Sequence, residues 1–248
     1  MAPADALGAQ ARLALIGAAP IPDRLPAAYV RALFDQYAPH FDRQLLDGLE
    51  YRAPVQLRHA VDAVCPPRAA GEQILDLGCG TGLAGEAFRN RACWLEGIDL
   101  SPAMVAQARA KGLFDALHVG DLLTLPAAGP SGAGPFDLIV AADVAVYIGD
   151  LAPLLARAQA LLHANGVFAL TVQRSERAGF SLGAECRYSH HPDYVRTVAE
   201  GADFEVCSLD HATCRREAGR DVPSAIAVLR PRRAPAAPLT KAPESMAL

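Results

Sequence analysis

The stretch Ile74-Leu75-Asp76-Leu77-Gly78-Cys79-Gly80-Thr81-Gly82 decides the fold of this chain. Its apolar half predicts a buried strand, and its three alternate glycines predict a bare turn that opens into a helix. Such a turn lets a ligand lie directly on the backbone. Glycine-rich turns between a strand and a helix hold nucleotide-like ligands in doubly wound α/β folds. The stretch therefore predicts a cofactor of that kind at the end of a parallel strand.

Two kinds of nucleotide-like ligand are compatible with these glycines. The segment Gly80–Gly85 also satisfies G-x-G-x-x-G, the fingerprint of dinucleotide-binding folds. In those folds the helix N–H groups face a pyrophosphate, which Asp76 would repel. An acid at this position suits a ligand with a cationic amino group, so the sequence favours that ligand over a dinucleotide. A glycine-rich turn that binds nothing is the third interpretation.

Acidic residues end the next three apolar segments as well. Asp99, Asp121 and Asp143 each follow a short apolar run that predicts a strand. A carboxylate at the end of the second strand can accept hydrogen bonds from both hydroxyls of a ribose. Each acid alone would also fit a helix cap or a turn, Asp143 most of all. Together, however, the acids predict four carboxylates along one edge of a parallel sheet.

The pattern D-x-G-x-G-x-G at Asp76–Gly82 resembles motif I of the class I S-adenosylmethionine-dependent methyltransferases, and the resemblance extends over residues 70–230. It implies an α/β fold with a Rossmann-like, mostly parallel sheet of seven strands. The implied strand order is 3-2-1-4-5-7-6, with strand 7 antiparallel, helices on both faces and an N-terminal helical extension. It also implies S-adenosyl-L-methionine as the cofactor, with Asp121 accepting from the adenine amino group and Leu122 packing on the ring.

The predicted cofactor site contains residues from the glycine turn, from the ends of the later strands and from the N-terminal helices. These are Asp76, Gly78, Cys79, Gly80, Gly82, Asp99, Leu100, Met104, Asp121, Leu122, Asp143, Tyr37 and Phe41. Tyr37 and Phe41 recur at helical spacing, which also fits ordinary core packing. Whether these two aromatic residues cover the cofactor or pack in the core stays open at this point.

The flanking segments resemble a narrower group, predicted bacterial methyltransferases that are often fused to tetratricopeptide repeats. The similar segments are Arg31–Asp42, Leu49–Pro54, Ala141–Val144 with Tyr147–Asp150, and Arg187–His190. This likeness implies no substrate. We expect no complete repeat in the first 25 residues of the chain, which are too few to form one.

Composition shifts divide the chain into four predicted parts. Residues 1–26 form an N-terminal extension, 27–72 an N-terminal helical cap, 73–230 the S-adenosylmethionine-binding methyltransferase domain, and 231–248 a disordered tail rich in Pro and Ala. The prolines at positions 20, 22 and 26 separate the extension from the cap.

Candidate catalytic residues follow from the chemistry of methyl transfer. A sulfonium methyl group needs an in-line nucleophile, and a general base helps when the acceptor must lose a proton. His190, in the loop after the fifth strand, is the predicted base, with Tyr147 as a second catalytic candidate and His191 as an alternative. His190 could equally be a surface or capping histidine. Tyr147 could pack against the following helix instead.

Composition limits the partners. The net charge of −4 and the pI near 6.0 do not indicate a nucleic-acid or membrane surface. The six cysteines show no metal-ligand spacing, so we predict no metal and a reducing compartment. The sequence has no apolar run long enough to cross a membrane and no basic start typical of a signal peptide. We expect a cytoplasmic protein.

The leading hypothesis is methyl transfer from S-adenosylmethionine to a small-molecule acceptor, with oxygen as the expected nucleophile. Ala142-Asp143-Val144-Ala145 lacks the Pro-Pro-aromatic segment of nucleic-acid amino-methyltransferases and the Pro-Cys nucleophile of base C5-methyltransferases. One alternative is a cofactor-binding regulatory or assembly protein without turnover. A nicotinamide-dependent oxidoreductase is the other, and the acids at positions 76 and 121 argue against it.

Overall fold

Nine strands form the β-structure of residues 5–126, 129–217 and 219–232, which are the residues that the computed structural model describes. The strands are β1 (Glu72–Leu77), β2 (Ala92–Asp99), β3 (Ala116–Val119), β4 (Phe136–Ala141), β5 (Leu162–Gln173), β6 (Phe180–Leu182), β7 (Tyr188–His190), β8 (Phe204–Glu217) and β9 (Arg220–Pro231).

Eight α-helices accompany them over the same described ranges. They are α1 (Ala9–Leu15), α2 (Ala27–Tyr37), α3 (Phe41–Arg43), α4 (Ala53–Val64), α5 (Leu83–Phe88), α6 (Pro102–Lys111), α7 (Ala152–Leu161) and α8 (Pro192–Gly201). The start of α6 shows how the sequence sets a boundary. The Ser101 hydroxyl accepts a hydrogen bond from the Met104 N–H at 3.1 Å, and Pro102 occupies the first turn.

Seven of the strands form one sheet in the order β3-β2-β1-β4-β5-β9-β8. Strands β1 to β5 are parallel to one another, and β9 is antiparallel to both β5 and β8. Strands β6 and β7 form a separate hairpin. Counted within the sheet, β8 and β9 are the sixth and seventh strands, so the predicted order 3-2-1-4-5-7-6 with an antiparallel last strand is confirmed.

The sheet is covered by helices on both faces, as predicted. Alternate residues of β1 point to opposite faces because a strand repeats every two residues. Leu75 and Leu77 pack on one face with Leu154 and Leu155 of α7. Ile74 packs on the other face with residues of α4. Burial of each large apolar side chain stabilises the fold by about 1.5–3 kcal/mol, so the alternation fixes the register of β1 between the two helix layers.

The residues before β1 pack against the edge of the sheet where the parallel strands end. The Leu25 N–H donates to the Tyr147 carbonyl at 3.0 Å, and the Tyr188 hydroxyl donates to the Pro22 carbonyl at 2.6 Å. This packing joins the N-terminal segment to the hairpin of β6 and β7. The N-terminal segment therefore forms one wall of the space above the strand ends.

The outer limits of the predicted parts remain predictions. Strand β9 continues to Pro231, one residue beyond the predicted domain end at 230. From residue 233 onward the predicted tail lies outside the described residues. Within the described ranges, no helix is both long enough and apolar enough to cross a membrane.

Candidate cofactor and acceptor site

The glycine turn after β1 has the backbone conformation that its sequence predicts. Gly78 and Gly80 have φ values of +70° and +52°, a region that L side chains rarely adopt. A Cβ atom on Gly78 would lie 2.4 Å from the Val144 side chain, so this glycine is also needed for close packing. A Cβ atom on Gly80 would meet only the Phe41 ring, at 3.9 Å. The backbone at Gly80 therefore faces open space that a ligand can occupy.

Asp99 fixes the shape of this turn from the neighbouring strand. One carboxylate oxygen accepts from the Gly80 N–H at 3.0 Å, and the other accepts from the Ser101 N–H at 2.8 Å. Burial raises the pKa of Asp99, and these two N–H donors offset part of the rise. A carboxylate has about four acceptor positions, so two of them stay available for the hydroxyls of a ribose.

Asp76 lies beneath the turn rather than beside the ligand space. Its side chain is fully buried, and within the described part of the chain neither oxygen accepts a hydrogen bond. Burial, followed by the charge of Asp99, raises the pKa of Asp76 to about 7. An unpaired buried carboxyl is costly for a fold. No cationic side chain of the described residues pairs with Asp76, and the Gly85 N–H is the one group among them that lowers its pKa.

A cavity of about 1210 Å³, part of which is open to solvent, extends along the carboxyl ends of β1 to β4. Most of the predicted site residues line it: Gly78, Cys79, Gly80, Asp99, Leu100, Asp121, Leu122, Asp143, Phe41 and Tyr147. The remaining predicted residues, Asp76, Gly82, Met104, Tyr37 and His190, are not among its lining residues. The thiol of Cys79 is buried and its pKa is raised by that burial, so Cys79 contributes backbone and volume rather than a thiolate.

Three of the residues predicted to bind the cofactor, Tyr37, Met104 and Gly82, are not among those that line the cavity. Tyr37 is 46% exposed at the last position of α2, whereas Phe34 on the same helix contacts Tyr147 at a centroid distance of 5.3 Å. Met104, on α6, is fully buried. Gly82 precedes α5 and packs toward Phe114. Gly82 and Met104 therefore belong to the packing around the site, and Tyr37 lies outside it.

His190 also lies outside the cavity. It is fully buried, and its Nε2–H donates to the carbonyls of Ile148 at 2.9 Å and Gly149 at 3.1 Å. Its ring stacks on Tyr194 at 5.9 Å, and burial lowers the pKa of His190 to about 4. His191 caps α8 through its Nδ1, which accepts from the Asp193 N–H at 3.2 Å. Both histidines thus occupy structural positions, and the geometry argues against His190 as a base.

The second half of the cavity is lined by Asp143, Tyr51, Tyr147, Arg187 and Arg215, and we call it the acceptor end. Asp143 follows β4 with a φ of +55°, a left-handed conformation that Asp tolerates better than most residues. Thr171 Oγ1 donates to its carboxylate at 3.1 Å and accepts from its N–H at 2.8 Å. Arg215 Nη1 lies 3.3 Å from its other oxygen. These contacts hold Asp143 in a single orientation at the end of the strand.

Two arginines and two tyrosines complete the acceptor end. Arg187 and Arg215 both donate to the same oxygen of Glu217, at 2.6 Å and 2.9 Å. Burial raises the pKa of Tyr147 and of Tyr51, so both hydroxyls stay protonated at neutral pH. The acceptor end therefore presents N–H and O–H donors, and the charges of its two arginines are offset by those of Asp143 and Glu217.

Sequence reasoning missed the site roles of Tyr51, Arg187 and Arg215. Arg187 and Tyr51 do lie in segments of the narrower resemblance, which was the available signal for them. Arg215 lies on β8, and no motif surrounds it.

Polar contacts tie the N-terminal residues to the loops of the cofactor half. Arg24 Nη1 lies 2.8 Å from Asp121 Oδ2, and the Ser101 hydroxyl donates to Asp35 at 2.6 Å. Asp42 accepts from the Thr81 hydroxyl and pairs with Lys111 Nζ at 2.7 Å. Phe34 and Phe41, from the same N-terminal part, line the cavity. The N-terminal cap therefore covers the cavity and contacts the loops that follow β1 and β2, and Arg24, just before the cap, contacts the loop that follows β3.

Known proteins share both the sequence pattern and the fold. Residues 75–168 match the family described as methyltransferase domain. Aklanonic acid methyltransferase DauC of Streptomyces sp. (strain C5) is 32% identical over 57% of this chain. This chain spans 64% of that relative's length. Ubiquinone biosynthesis O-methyltransferase of Xylella fastidiosa (strain 9a5c) is 30% identical over 66% of this chain and 69% of its own length.

Among solved structures, 1,6-didemethyltoxoflavin-N1-methyltransferase of Burkholderia thailandensis superposes with a TM-score of 0.60 at 18% identity. The superposition covers 87% of this chain and 95% of that one, which shows a shared fold. The order of the sheet, the glycine turn with its acids, and the identity with the Xylella fastidiosa enzyme agree. The chain belongs to the family of S-adenosylmethionine-dependent methyltransferases.

Proposed function

We propose that this protein transfers the methyl group of S-adenosyl-L-methionine to an oxygen nucleophile of a small-molecule acceptor. The observation that carries the proposal is the single cavity that joins two chemically different ends. One end has the open backbone at Gly80 and the carboxylates of Asp99 and Asp121. The other has Tyr147 and the arginines. Two of the relatives are named for small molecules, aklanonic acid and ubiquinone, which supports an acceptor of this size.

The residues of the cofactor end fit S-adenosylmethionine. Asp99 would hold the ribose hydroxyls, Asp121 and Leu122 the adenine, and the backbone at Gly78 and Gly80 the methionine part. The unpaired carboxyl of Asp76 beneath the turn suits the cationic end of that ligand. When bound, the cofactor supplies a methyl group on a positively charged sulfur.

The chain's own residues orient the acceptor and exclude water. Tyr147 donates from a protonated hydroxyl, so we assign it a role in binding the acceptor rather than in removing a proton. Phe34 and Phe41 of the N-terminal cap form part of the cavity wall and enclose part of the space between the two ends. Holding two reactants in a productive geometry contributes about 7–11 kcal/mol in favourable cases, so a site without a strong base can still be an effective catalyst.

We also propose that the protein is related to the predicted bacterial methyltransferases that are often fused to tetratricopeptide repeats. We propose further that it acts in the cytoplasm and that it has no nucleic-acid partner. The net charge of −4 supports the last of these. A cofactor-binding protein without turnover remains the alternative. A nicotinamide-dependent oxidoreductase is disfavoured by Asp76, which would lie under the pyrophosphate of a dinucleotide.

The proposal is tested by incubating the protein with methyl-labelled S-adenosylmethionine and an extract of the source cells. We expect the label in the small-molecule fraction with wild type and not with Asp99→Ala. Asp193→Asn, which changes an exposed carboxylate on α8, is the matched control and should label like wild type. Label confined to nucleic acid or protein, or no label above the Asp99→Ala level, would contradict the proposal.

A further inference from the structure

We infer that the methyl acceptor carries a carboxylate, which Arg187 and Arg215 bind at the acceptor end of the cavity. This inference rests on the proposed function and adds the substrate class to it. The two guanidinium groups belong to different elements, the turn before β7 and the strand β8. Both line the cavity.

Arg215 is a buried, fixed cation. Its side chain is only 2% exposed. Its Nε donates to Glu217 at 2.9 Å, its Nη2 to Gln173 at 3.1 Å and its Nη1 to Asp143 at 3.3 Å. A planar guanidinium with all three nitrogens engaged is held in one orientation at the cavity wall, although the charges of Asp143 and Glu217 offset its own. Because Nη1 is at the longest of these distances, it is the nitrogen that an incoming carboxylate can share most easily.

Arg187 supplies the free donors of the pair. Its Nη1 donates to the same Glu217 oxygen at 2.6 Å. Over the described ranges no hydrogen bond engages its Nε and Nη2, which leaves both for a ligand. The side chain is 28% exposed, whereas Glu217, behind the pair, does not line the cavity. The shared carboxylate oxygen holds two guanidinium groups next to each other. Two adjacent guanidinium groups that both line the cavity, one of them with unengaged N–H groups among the described residues, suit the two oxygens of a planar carboxylate.

The rest of the acceptor end is also suited to an anion. The hydroxyls of Tyr51 and Tyr147 are protonated donors at neutral pH. The one carboxylate among the described residues that line this end is Asp143, which already accepts from Thr171 and pairs with Arg215. No histidine of the described residues lines this end, and Asp143 is already held by Thr171 and Arg215. A free carboxylic acid is already ionised at neutral pH, so an acceptor that carries a carboxylate needs no base to ionise that group and suits the N–H and O–H donors here.

The nearby positive charge of the cofactor strengthens this match. An anionic acceptor next to a sulfonium would form an ion pair inside a partly enclosed cavity, where electrostatic attraction is stronger than in bulk solvent. The competing role for the two arginines is to hold the carboxylate of the cofactor itself. That role predicts a different kinetic effect, so experiment separates the two.

The first test measures binding to the protein saturated with S-adenosylhomocysteine. The probes are 4-hydroxybenzoate, phenylpropionate and hexanoate, each compared with its primary amide. We expect wild type to bind at least one acid roughly 10- to 100-fold more tightly than its amide, the range of a charge-assisted hydrogen bond. Arg187→Gln should lose this difference, and Arg187→Lys should keep part of it. The absence of any preference for an acid over its amide in wild type would overturn the inference.

The control for these variants is Arg216→Gln. Arg216 neighbours Arg215 on β8 but is 40% exposed and pairs with Glu50 and Asp221 outside the cavity. It should bind the acids like wild type. Equal losses in Arg216→Gln and Arg187→Gln would show a general effect of removing an arginine and would overturn the inference.

The second test uses the natural acceptor in the source-cell extract. The extract is passed over an anion exchanger at pH 7 and at pH 2.5, and each fraction is labelled with wild type and with Arg187→Gln. We expect the acceptor to be retained at pH 7 only, as a carboxylate is, and Arg187→Gln to raise the KM for that fraction roughly 10-fold or more with an unchanged KM for S-adenosylmethionine.

Three results of the second test overturn the inference. Retention at both pH values indicates a phosphate or sulfate, retention at neither pH indicates a neutral acceptor, and a raised KM for S-adenosylmethionine assigns the arginines to the cofactor. If wild type labels no fraction at all, the proposed function fails. The comparison of acids with amides then decides the inference alone.

Discussion

The two ends of the cavity are built in different ways. The cofactor end uses backbone and carboxylates at the ends of consecutive strands, from Gly78 to Asp121. The acceptor end uses side chains from Tyr51 to Arg215, which come from a turn, a strand end, a hairpin and β8. At the cofactor end, a loop with a glycine or a carboxylate follows each of several consecutive strands. At the acceptor end, the tertiary fold brings together residues that are far apart in the sequence. A binding function that the whole family shares can therefore be local in sequence, whereas substrate binding is spread over the chain.

Asp99→Ala is the substitution with the largest expected effect on this comparison. It removes the acceptor of the Gly80 N–H and, with it, the carboxylate that we propose accepts from two ribose hydroxyls. Since hydrogen bonds to a charged group contribute about 1.5–3 kcal/mol each, we expect S-adenosylmethionine affinity to fall on the order of 10³-fold by titration calorimetry. Binding of acids at the acceptor end should persist. A loss below about 3-fold would place the ribose elsewhere.

The pH dependence of the free energy of unfolding tests the buried position of His190 next to the acceptor end. The pKa of His190 in the folded protein, about 4, lies below the ordinary value of 6.5, so the unfolded chain binds the proton first as pH falls. Its contribution to stability is present above pH 6.5 and is lost toward pH 4, by about 3 kcal/mol. We expect the free energy of unfolding of His190→Gln to depend less on pH over this range than that of wild type.

His191→Gln is the control for that experiment, because His191 caps α8 at a partly exposed position. Chemical denaturation at several pH values measures the difference. Parallel pH profiles for wild type and His190→Gln would show that His190 titrates normally, and the buried structural position assigned to it would then be wrong.

Asp76→Asn should separate stability from function at the cofactor end. The folded pKa of Asp76, about 7, is above its ordinary value of 3.8, so the unfolded chain loses the proton first as pH rises. Asp76 in the folded protein is therefore neutral near pH 4 and does not lower the free energy of unfolding there, whereas its ionisation lowers that free energy as pH approaches 8. At pH 8 we expect Asp76→Asn to be more stable by about 2 kcal/mol, since the amide is itself left unpaired.

The same variant should bind S-adenosylmethionine more weakly, and wild-type affinity should increase as pH rises through 7. Thermal unfolding at pH 4 serves as the internal control, because the two proteins are then alike in charge at this position. A variant that is no more stable at pH 8, or that binds the cofactor as wild type does, would contradict the role given to Asp76.

The smallest effect concerns the N-terminal cap. Asp35→Ala removes the acceptor of the Ser101 hydroxyl, one of several ties between the cap and the cofactor loops. One hydrogen bond contributes about 1 kcal/mol, so we expect cofactor affinity to fall roughly 3- to 10-fold, mainly through faster dissociation measured by stopped flow. Asp210→Ala, an exposed position on β8, should leave the rate unchanged. Equal cofactor dissociation rates in the two variants would show that the contact between the cap and Ser101 does not slow cofactor release.

The glycine turn was predicted from local chemistry, and the sheet order followed from the resemblance that the motif residues carry. A φ of +52° at Gly80 favours glycine, and an acid such as Asp99 at the end of an apolar run can be recognised from the sequence alone. Tyr37 and Met104 were misplaced because helical spacing shows that a face is apolar without showing what it contacts. The turn at the end of α2 points Phe34 inward and leaves Tyr37 outside.

The acceptor end could not be predicted in the same way. His190 was chosen because a loop histidine after the fifth strand could reach a substrate, but the hairpin of β6 and β7 buries it under the carbonyls of Ile148 and Gly149. Arg215 reaches the cavity only because β8 pairs with β9 and lies near the end of β4. Contacts between residues this far apart in sequence leave no periodic pattern.

The most direct measurement is a calorimetric titration of the protein with S-adenosylhomocysteine and, separately, with the two nicotinamide dinucleotides. The cavity described here predicts saturable binding of S-adenosylhomocysteine at one site per chain, no heat from either dinucleotide, and loss of the signal in Asp99→Ala. Binding of a dinucleotide without binding of S-adenosylhomocysteine would contradict the assignment of Asp76, Asp99 and Asp121 to a methyl donor.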